Sequence, residues 1–593
     1  MPIRSFIISC ILVLLGSTQA AQPMTYFIDP ANGDDTNSGI TQDHAWKTLN
    51  WLNKQSLGPG DSVTVAPGVL QGSLAPKAIG TKSRPVVIQF VSGWHEFRAS
   101  GAIALPYFVS NSADAPLEPR PIGILVKNAQ HLKIVGAKGC EIWFGDRMTQ
   151  LVNDHSEDVT YEGLNFDLVR PTVSEFRVTA VGPDSADIQV AEGSTYTVKE
   201  GRFAWTGDLG PGWTMVQEAD PATGKCWRRG QWDPFSSANA KILGRDKLRL
   251  TYKSGNLGMI AGHQFQFRNV IRDTTSGLNS RCKDIVFRDC NFYSLPGMAI
   301  VSQFTENITF QRVNVIPRPG TIRTCPAWAD CFHFSGCRGK VLVDSCQFSG
   351  AQDDPINVHG TYLRLIEKVG SNQVIVRFMH PQTYGFAAFQ PGDNIEFVSH
   401  TSLRPYSSAV VTAIQRKTDT DWLLSLDRDI PEFAPNDVVD NNSWYPDLTI
   451  RNCTVTMDSC RGFLISTRGK VLVTGNTFSN TSMSAILIAD DANSWFESGC
   501  VRDVTIRGNR FLDCGDPVIS INPENRDAKP DEPVHEGIRI LDNVFERGGI
   551  SARSVKGLLI RSNTFRTNPA PIHIESCSKS TIAGNRAQAL TGT

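Results

Sequence analysis

A chain of 593 residues is too long for one ordinary compact domain, so it holds either several domains or a repeat architecture. With 40% hydrophobic and 20% charged residues, its composition is that of a folded protein rather than a disordered or fibrous one. The formal charge of −1 and the lack of any basic run argue against nucleic acid or another polyanion as partner.

The chain begins Met1-Pro-Ile-Arg4, followed by an apolar run from Phe6 to Leu15 and small residues before Ala20. This is the pattern of a secretory signal peptide, and the run is too short to span a bilayer. No later stretch reaches about 18 uninterrupted apolar residues, so an exported, soluble protein without a transmembrane segment is expected once residues 1–20 are removed. Removal takes Cys10 and leaves 13 cysteines, an odd number lacking the paired Cys-x-x-Cys spacing of zinc sites; no structural metal and no cofactor are expected.

Tyr26 to Ile28 reads as a strand, followed by a Gly/Asn/Asp turn cluster and a short helical piece ending at Leu52. Gly58 to Gly68 is a turn, strand and turn, and Pro85 to Val91 is another strand. The short helix would cover the open end of a first coil, since unpaired sheet edges invite aggregation. A repeat then emerges. Lys283-Asp-Ile-Val-Phe-Arg-Asp-Cys-Asn-Phe292 is echoed by Gly339-Lys-Val-Leu-Val-Asp-Ser-Cys-Gln-Phe348, and again from Pro446, Gly469, Arg502, Glu536 and Lys556. Weaker copies begin near Gln130, Glu157, Glu306 and Ser578. Period-2 alternation inside a repeat of this length predicts a solenoid of parallel strands, each coil burying its inner face on its neighbours. The eighth position is Cys290, Cys346, Cys453, Asn476, Asn509, Asn543 and Asn563 in turn. Stacked in register, these form an internal ladder, with Asn also suited to a left-handed bend and Cys acting as a small buried residue.

Two stretches break the period. Residues 169–282 and 361–445 carry hairpin-like alternation with Gly-rich turns, and Val181-Gly182 with Ile188 and Val190 matches Val369-Gly370 with Val374 and Val376. The expected fold is therefore all-β: a right-handed parallel β-helix with two inserted small antiparallel β-barrels. Its units are residues 21–168 (cap and first coils), 169–282 (first insert), 283–360 (central coils), 361–445 (second insert) and 446–593 (last coils). Inserts on one face of a solenoid flank its binding surface.

The chemistry concentrates in Trp328-Ala-Asp-Cys-Phe-His-Phe-Ser-Gly336 and Gln352-Asp-Asp-Pro-Ile-Asn-Val-His-Gly360. Aligning Phe332 and Phe334 with Ile356 and Val358 sets Asp330 against Asp354, with Asp353 one residue earlier. Continued through the coils, this register predicts a column of Gly297, Asp330, Asp354, Arg461, Ser484 and Asp516. Five positions on, it predicts a second column of Ser302, Ser335, His359 and Ser466. Like charges opposed on a sheet destabilise it, so a crowded carboxylate trio signals a cation, a shared proton, charge balance by Arg461, or catalysis. Hydrolysis of a glycosidic bond with inversion needs one carboxylic acid to protonate the leaving oxygen and a carboxylate to activate water. Asp353 is the expected acid, while Asp330 and Asp354 would orient and deprotonate the water. His359, Arg461, Asn357, Trp328 and Tyr362 are candidate substrate contacts, with Trp495 a further aromatic platform. Asp490-Asp491 reads as a solvated turn.

The trio, an Asp one coil before an Asp-Asp pair with His-Gly behind it, resembles that of polygalacturonases. Closer still, Asp353-Asp-Pro-Ile-Asn-Val-His-Gly-Thr-Tyr362, the Ala329-Asp330-Cys331 coil and the two inserts resemble the bacterial α-1,3-galactosidases of glycoside hydrolase family 110, from Tyr26 through the last coils. That resemblance implies a periplasmic or secreted inverting exo-glycosidase. The family removes terminal α-1,3-linked galactose from blood group B-type and linear glycans, so the expected substrate is carbohydrate, with the choice between linear and fucose-branched glycans open. A homo-oligomer is compatible with the sequence but not derivable from it. The alternatives are a polygalacturonase-like hydrolase or polysaccharide lyase, and a non-catalytic glycan-binding adhesin.

Overall fold

The computed structural model describes residues 22–112, 118–207, 209–567 and 571–587; the leader segment lies outside them. Three long sheets run the length of the molecule. The first has 14 strands, all parallel, from Thr25–Ile28 to Thr581–Ala583, and takes one strand from every repeat copy named above. A second, 13-stranded sheet runs from Gly68–Gln71 to Arg586–Ala587. The third joins the strands that follow each loop, among them Met298–Gln303, Phe332–Ser335, Ile356–Thr361 and Phe463–Ile465. Alternate residues of each strand point inward, which is why Ile285, Phe287 and Phe292, like Val341, Val343 and Phe348, enter one continuous core. The last Phe of successive copies stacks coil on coil, with ring centroids of Phe478, Phe511, Phe545 and Phe565 separated by 5.1, 4.9 and 4.6 Å. At the N-terminal end Leu49 and Leu52 of the short helix Leu49–Leu52 are buried in the same core, and Trp46 stacks on Tyr26.

The ladder forms as expected. Asn509 accepts from the backbone N–H of Asn476 at 2.9 Å and donates to the Val473 carbonyl of the coil before, and Asn543, Asn563 and Asn585 repeat the pattern. Upstream, sulfur replaces the amide, and the Val313 N–H points at Cys346 Sγ, 3.4 Å away. All 13 cysteines of the described chain are free, and every one except Cys577 is buried. The left-handed conformation, however, belongs to the residue before the ladder position. Asp289, Ser345, Asn452, Gly475, Gly508, Asp542 and Ser562 have φ between +53° and +67°. The bend turns there so that the next side chain can point inward. Asn509→Ala should orphan the buried Asn476 N–H and Val473 carbonyl at about 1–3 kcal/mol each. Denaturant unfolding checks this, and Asn509→Cys should lose less because the column already accepts a thiol.

The first insert is a seven-stranded antiparallel sheet with a separate hairpin, Tyr196–Lys199 and Arg202–Trp205, around Phe176, Trp205, Phe265 and Phe267. Its end strands, Lys225–Gly230 and Asn239–Gly244, do not pair with each other. The second insert does close, as a six-stranded barrel from Leu363–Gly370 to Val438–Asn441. Of the two expected barrels, only this one closes through hydrogen bonds among the described residues. Each insert begins with the hairpin that the Val-Gly match marked, Val173–Gly182 with Ser185–Val190 and Leu363–Gly370 with Gln373–Arg377.

Candidate active site

In the third sheet Phe332 pairs with Ile356 and Phe334 with Val358, so Asp330 and Asp354 lie on adjacent rungs. The pairing of Ile356 with Phe463 puts Arg461 on the next rung. The predicted columns slip by one residue further out. Ile300 pairs with Phe332 and Ile486 with Ile519, which sets Met298 rather than Gly297 against Asp330, Gln303 rather than Ser302 against Ser335, and Pro517 rather than Asp516 against Ser484. Loop lengths between sheets vary by single residues, and apolar alternation does not count them.

Asp354 is buried and accepts from Arg461 Nε at 2.8 Å, while Arg461 Nη2 lies 4.0 Å from Asp353. Asp353 also accepts from Arg272 Nη2 at 3.3 Å. Of the three aspartates, Asp353 alone keeps an open side, its side chain 20% exposed against 6% for Asp330 and 1% for Asp354. Their charge environments differ accordingly. Burial pushes Asp330 up to about 7, with Asp353 adding to the rise and Arg272 opposing it. Burial would also raise Asp353, but Arg272, Arg461, Arg268 and Arg228 together hold it below the usual carboxylate range. Burial pushes the Asp354 carboxyl well up; the Arg461 guanidinium, which never loses its charge, pulls against it, and the bonded contact stands as an ion pair.

Oxygens of Asp353 and Asp354 and the Cys460 Sγ come within 4.8 Å of one another. Cys460 is held as a thiol by burial and by the two carboxylates. Two oxygens and a neutral sulfur make a poor donor set for a hard cation, and the positive charge in this cluster is supplied by Arg461.

The other expected contacts divide. Asn357 is buried and donates to Asp330 Oδ2 at 3.3 Å, so it orients a carboxylate. His359 is buried against His333, with their Nε2 atoms 3.0 Å apart. Trp328, 4% exposed, is no open sugar platform; the guanidinium groups of Arg268 and Arg272 sit 5.3 and 5.8 Å from its ring centre. Tyr362 is excluded as a substrate contact, since it is 1% exposed, packs with Val398, Leu403 and Phe496, and bonds Asp490. Trp495 stays partly exposed and stacks on His380 at 3.9 Å. Asp490 and Asp491 form no solvated turn. Asp490 is fully buried and pushed up to about 8, and Asp491 caps the backbone N–H groups of Asn493, Ser494 and Trp495.

Sequence reasoning missed His333, Glu497, Asn111, Arg268 and Arg272. His333 donates to or accepts from Asp330 Oδ2 at 2.8 Å. Alternation did carry that signal, because Phe332 and Phe334 face the core and leave His333 on the carboxylate side. The others arrive by loops. Glu497–Ser498 adds antiparallel to the end of Ile356–Thr361, Asn111 donates to Glu497 at 2.9 Å, and Arg268 closes the last strand of the first insert. Both inserts reach the cluster, the first through Gln266 and Arg268 on Gln352, the second through Thr383 on Asn111.

Fold and site define a parallel β-helix protein with a buried carboxylate cluster on one sheet, walled by two antiparallel modules. Residues 373–439 match GLAA-B beta-barrel domain II, and residues 438–592 match the right handed beta helix region. An α-1,3-galactosidase A of Akkermansia muciniphila is 38% identical over 558 residues, spanning 92% of both chains. Another from Bacteroides fragilis is 35% identical over 525 residues, 84% of this chain and 86% of that one. An α-1,3-galactosidase B of Bacteroides thetaiotaomicron is 29% identical over 529 residues, 84% and 85% of the two chains. The chain belongs to the α-1,3-galactosidase family.

Proposed function

We propose that this protein is an exported exo-glycosidase that hydrolyses terminal α-1,3-linked galactose with inversion, on blood group B-type glycans. The observation that carries the chemistry is the pair Asp330 and Asp354 on adjacent rungs with Asp353 at the open edge. Family membership supports the sugar. The exposed surface of the cluster alternates carboxylate and guanidinium, Asp353 between Arg272 and Arg461, which suits the hydroxyls of a neutral ring, each both donor and acceptor. Asp353 protonates the leaving oxygen; Asp330 and Asp354 hold the water, and Asp330 takes its proton as the oxygen attacks the anomeric carbon. The cluster works with one proton between Asp330 and Asp353. In the free protein it rests on Asp330, and sugar hydroxyls that engage Arg272 and Arg461 weaken their grip on Asp353 and let it take the proton. A polysaccharide lyase would need a free Lys or Arg base, whereas Arg461 is committed to Asp354.

The test is to follow the product anomers by NMR on a terminal α-1,3-galactoside. β-Galactose is expected first, mutarotating later; α-galactose as first product would overturn inversion, and no release of galactose would overturn the activity.

A further inference from the structure

Beyond the three aspartates a line of buried groups leads away from Asp330. His333 Nδ1 is 2.8 Å from Asp330 Oδ2, and His333 Nε2 is 3.0 Å from His359 Nε2. His359 Nδ1 is 2.5 Å from the Gly360 carbonyl, and His359 Nε2 is 3.5 Å from Glu497 Oε1. Glu497 is held by Asn111 at 2.9 Å and Asn357 at 3.4 Å. The side chains of His333 and His359 are 0% and 1% exposed, while Glu497, at 11%, is the most open of the line.

Proton counting fixes the states available. A carbonyl only accepts, so His359 Nδ1 carries hydrogen. If His359 is neutral, its Nε2 accepts and His333 Nε2 must donate. A neutral His333 then offers a bare Nδ1 to Asp330, and the contact needs a proton on the carboxyl. The second arrangement has the same number of protons, with Asp330 ionised, His333 donating from Nδ1, and His359 an imidazolium beside the Glu497 carboxylate. Passing between them moves the Asp330 Oδ2 proton to His333 Nδ1 and the His333 Nε2 proton to His359 Nε2; no other bond changes.

We propose that His333, His359 and Glu497 form a buried proton relay that takes the water's proton on from Asp330 during the attack and returns it to Asp330 when product leaves. The inference rests on the proposed hydrolysis, in which Asp330 takes the water's proton during the attack, holds it again once product has left, and passes it to Asp353 when the next sugar binds. The charged groups facing the relay are Asp353, Asp354, Arg272 and Arg461 at the Asp330 end and Glu497 at the other. Burial depresses His333 to about 4 and lifts Asp330 to about 7, which stores the proton on Asp330 in the free protein. His333 and His359 are thus positioning residues acting through Asp330.

Two measurements test this. Imidazole ¹⁵N NMR of the histidine-labelled protein at neutral pH, assigned with His333→Gln and His359→Gln, should show hydrogen on His333 Nε2 and His359 Nδ1, or an imidazolium at His359. Neutral Nδ1–H forms at both rings would leave no proton between them and overturn the relay, whatever the protein hydrolyses. In steady-state kinetics on the α-1,3-galactoside, His333→Gln should lower kcat by about 10²-fold with KM unchanged, within the range for a positioned proton transfer. It should add nothing in an Asp330→Asn background. Unchanged kcat, or an equal loss in that background, would overturn it. A wild-type protein that releases no galactose would defeat the functional reading while leaving the NMR result to decide the relay.

Discussion

Asp353→Asn is expected to lower kcat/KM for a terminal α-1,3-galactosyl disaccharide by about 10²–10⁴-fold, the range a positioned general acid supplies. An amide in that place keeps the shape and loses the proton. The loss should shrink on an aryl α-galactoside, whose leaving oxygen departs without protonation. Asp330→Asn and Asp354→Asn remove the groups that hold the water, so they should fall equally on both substrates. The wild-type pH profile carries the same assignment. Because Asp330 stands near 7 and Asp353 below its usual range, the singly protonated cluster prevails between them, and kcat/KM should be level there and fall as pH rises past about 7. Equal losses on both substrates for all three variants would remove Asp353 from the acid role. Activity that rises through pH 7 would remove the shared proton.

Arg461→Met should be the most destabilising change at the site. It leaves Asp354, 1% exposed, as a buried charge without its partner, a situation that costs about 3–5 kcal/mol. Arg461 keeps 28% exposure, so the lower end of that range applies. The loss should depend on pH with a definite sign. Without the guanidinium nothing nearby offsets the burial that pushes Asp354 up, so its folded pKa stands above the unfolded value near 3.9. Below that unfolded value the carboxyl is neutral in both states and the charge penalty is absent; it grows as pH rises toward the folded value. Denaturant unfolding of wild type and variant at pH 7 and near pH 4 should show the deficit shrinking in acid. An equal deficit at both would mean that packing of the arginine stem, not its charge, is what matters.

The solenoid could be read from the chain because one physical requirement repeats: each coil presents inward apolar residues and a bend group that bonds the next coil. Asn509 and Asn543 announce themselves for that reason, and so does the pairing of Asp330 with Asp354, which two apolar neighbours on each strand fix. The reading stopped where geometry depends on loops. Glu497, Asn111 and Arg272 lie 140, 386 and 81 residues from the partners they meet at the cluster, Asn357, Glu497 and Asp353, and no periodicity links them. Tyr362 and Trp328 misled because an aromatic beside a carboxylate looks the same in sequence whether it lines a groove or packs beneath it. His333 was within reach, since alternation placed it beside Asp330; only its partner, the ring of His359, required the fold.

The strand Ile356–Thr361 carries Asn357 and His359, and the barrel's first strand begins at Leu363. One buried residue, Tyr362, separates them. Chain of that length, packed on both sides and pinned by Thr383 on Asn111, leaves no hinge. The barrel is therefore set against the strand that carries Asn357 and His359 when the protein folds, and its position there does not wait on a bound sugar.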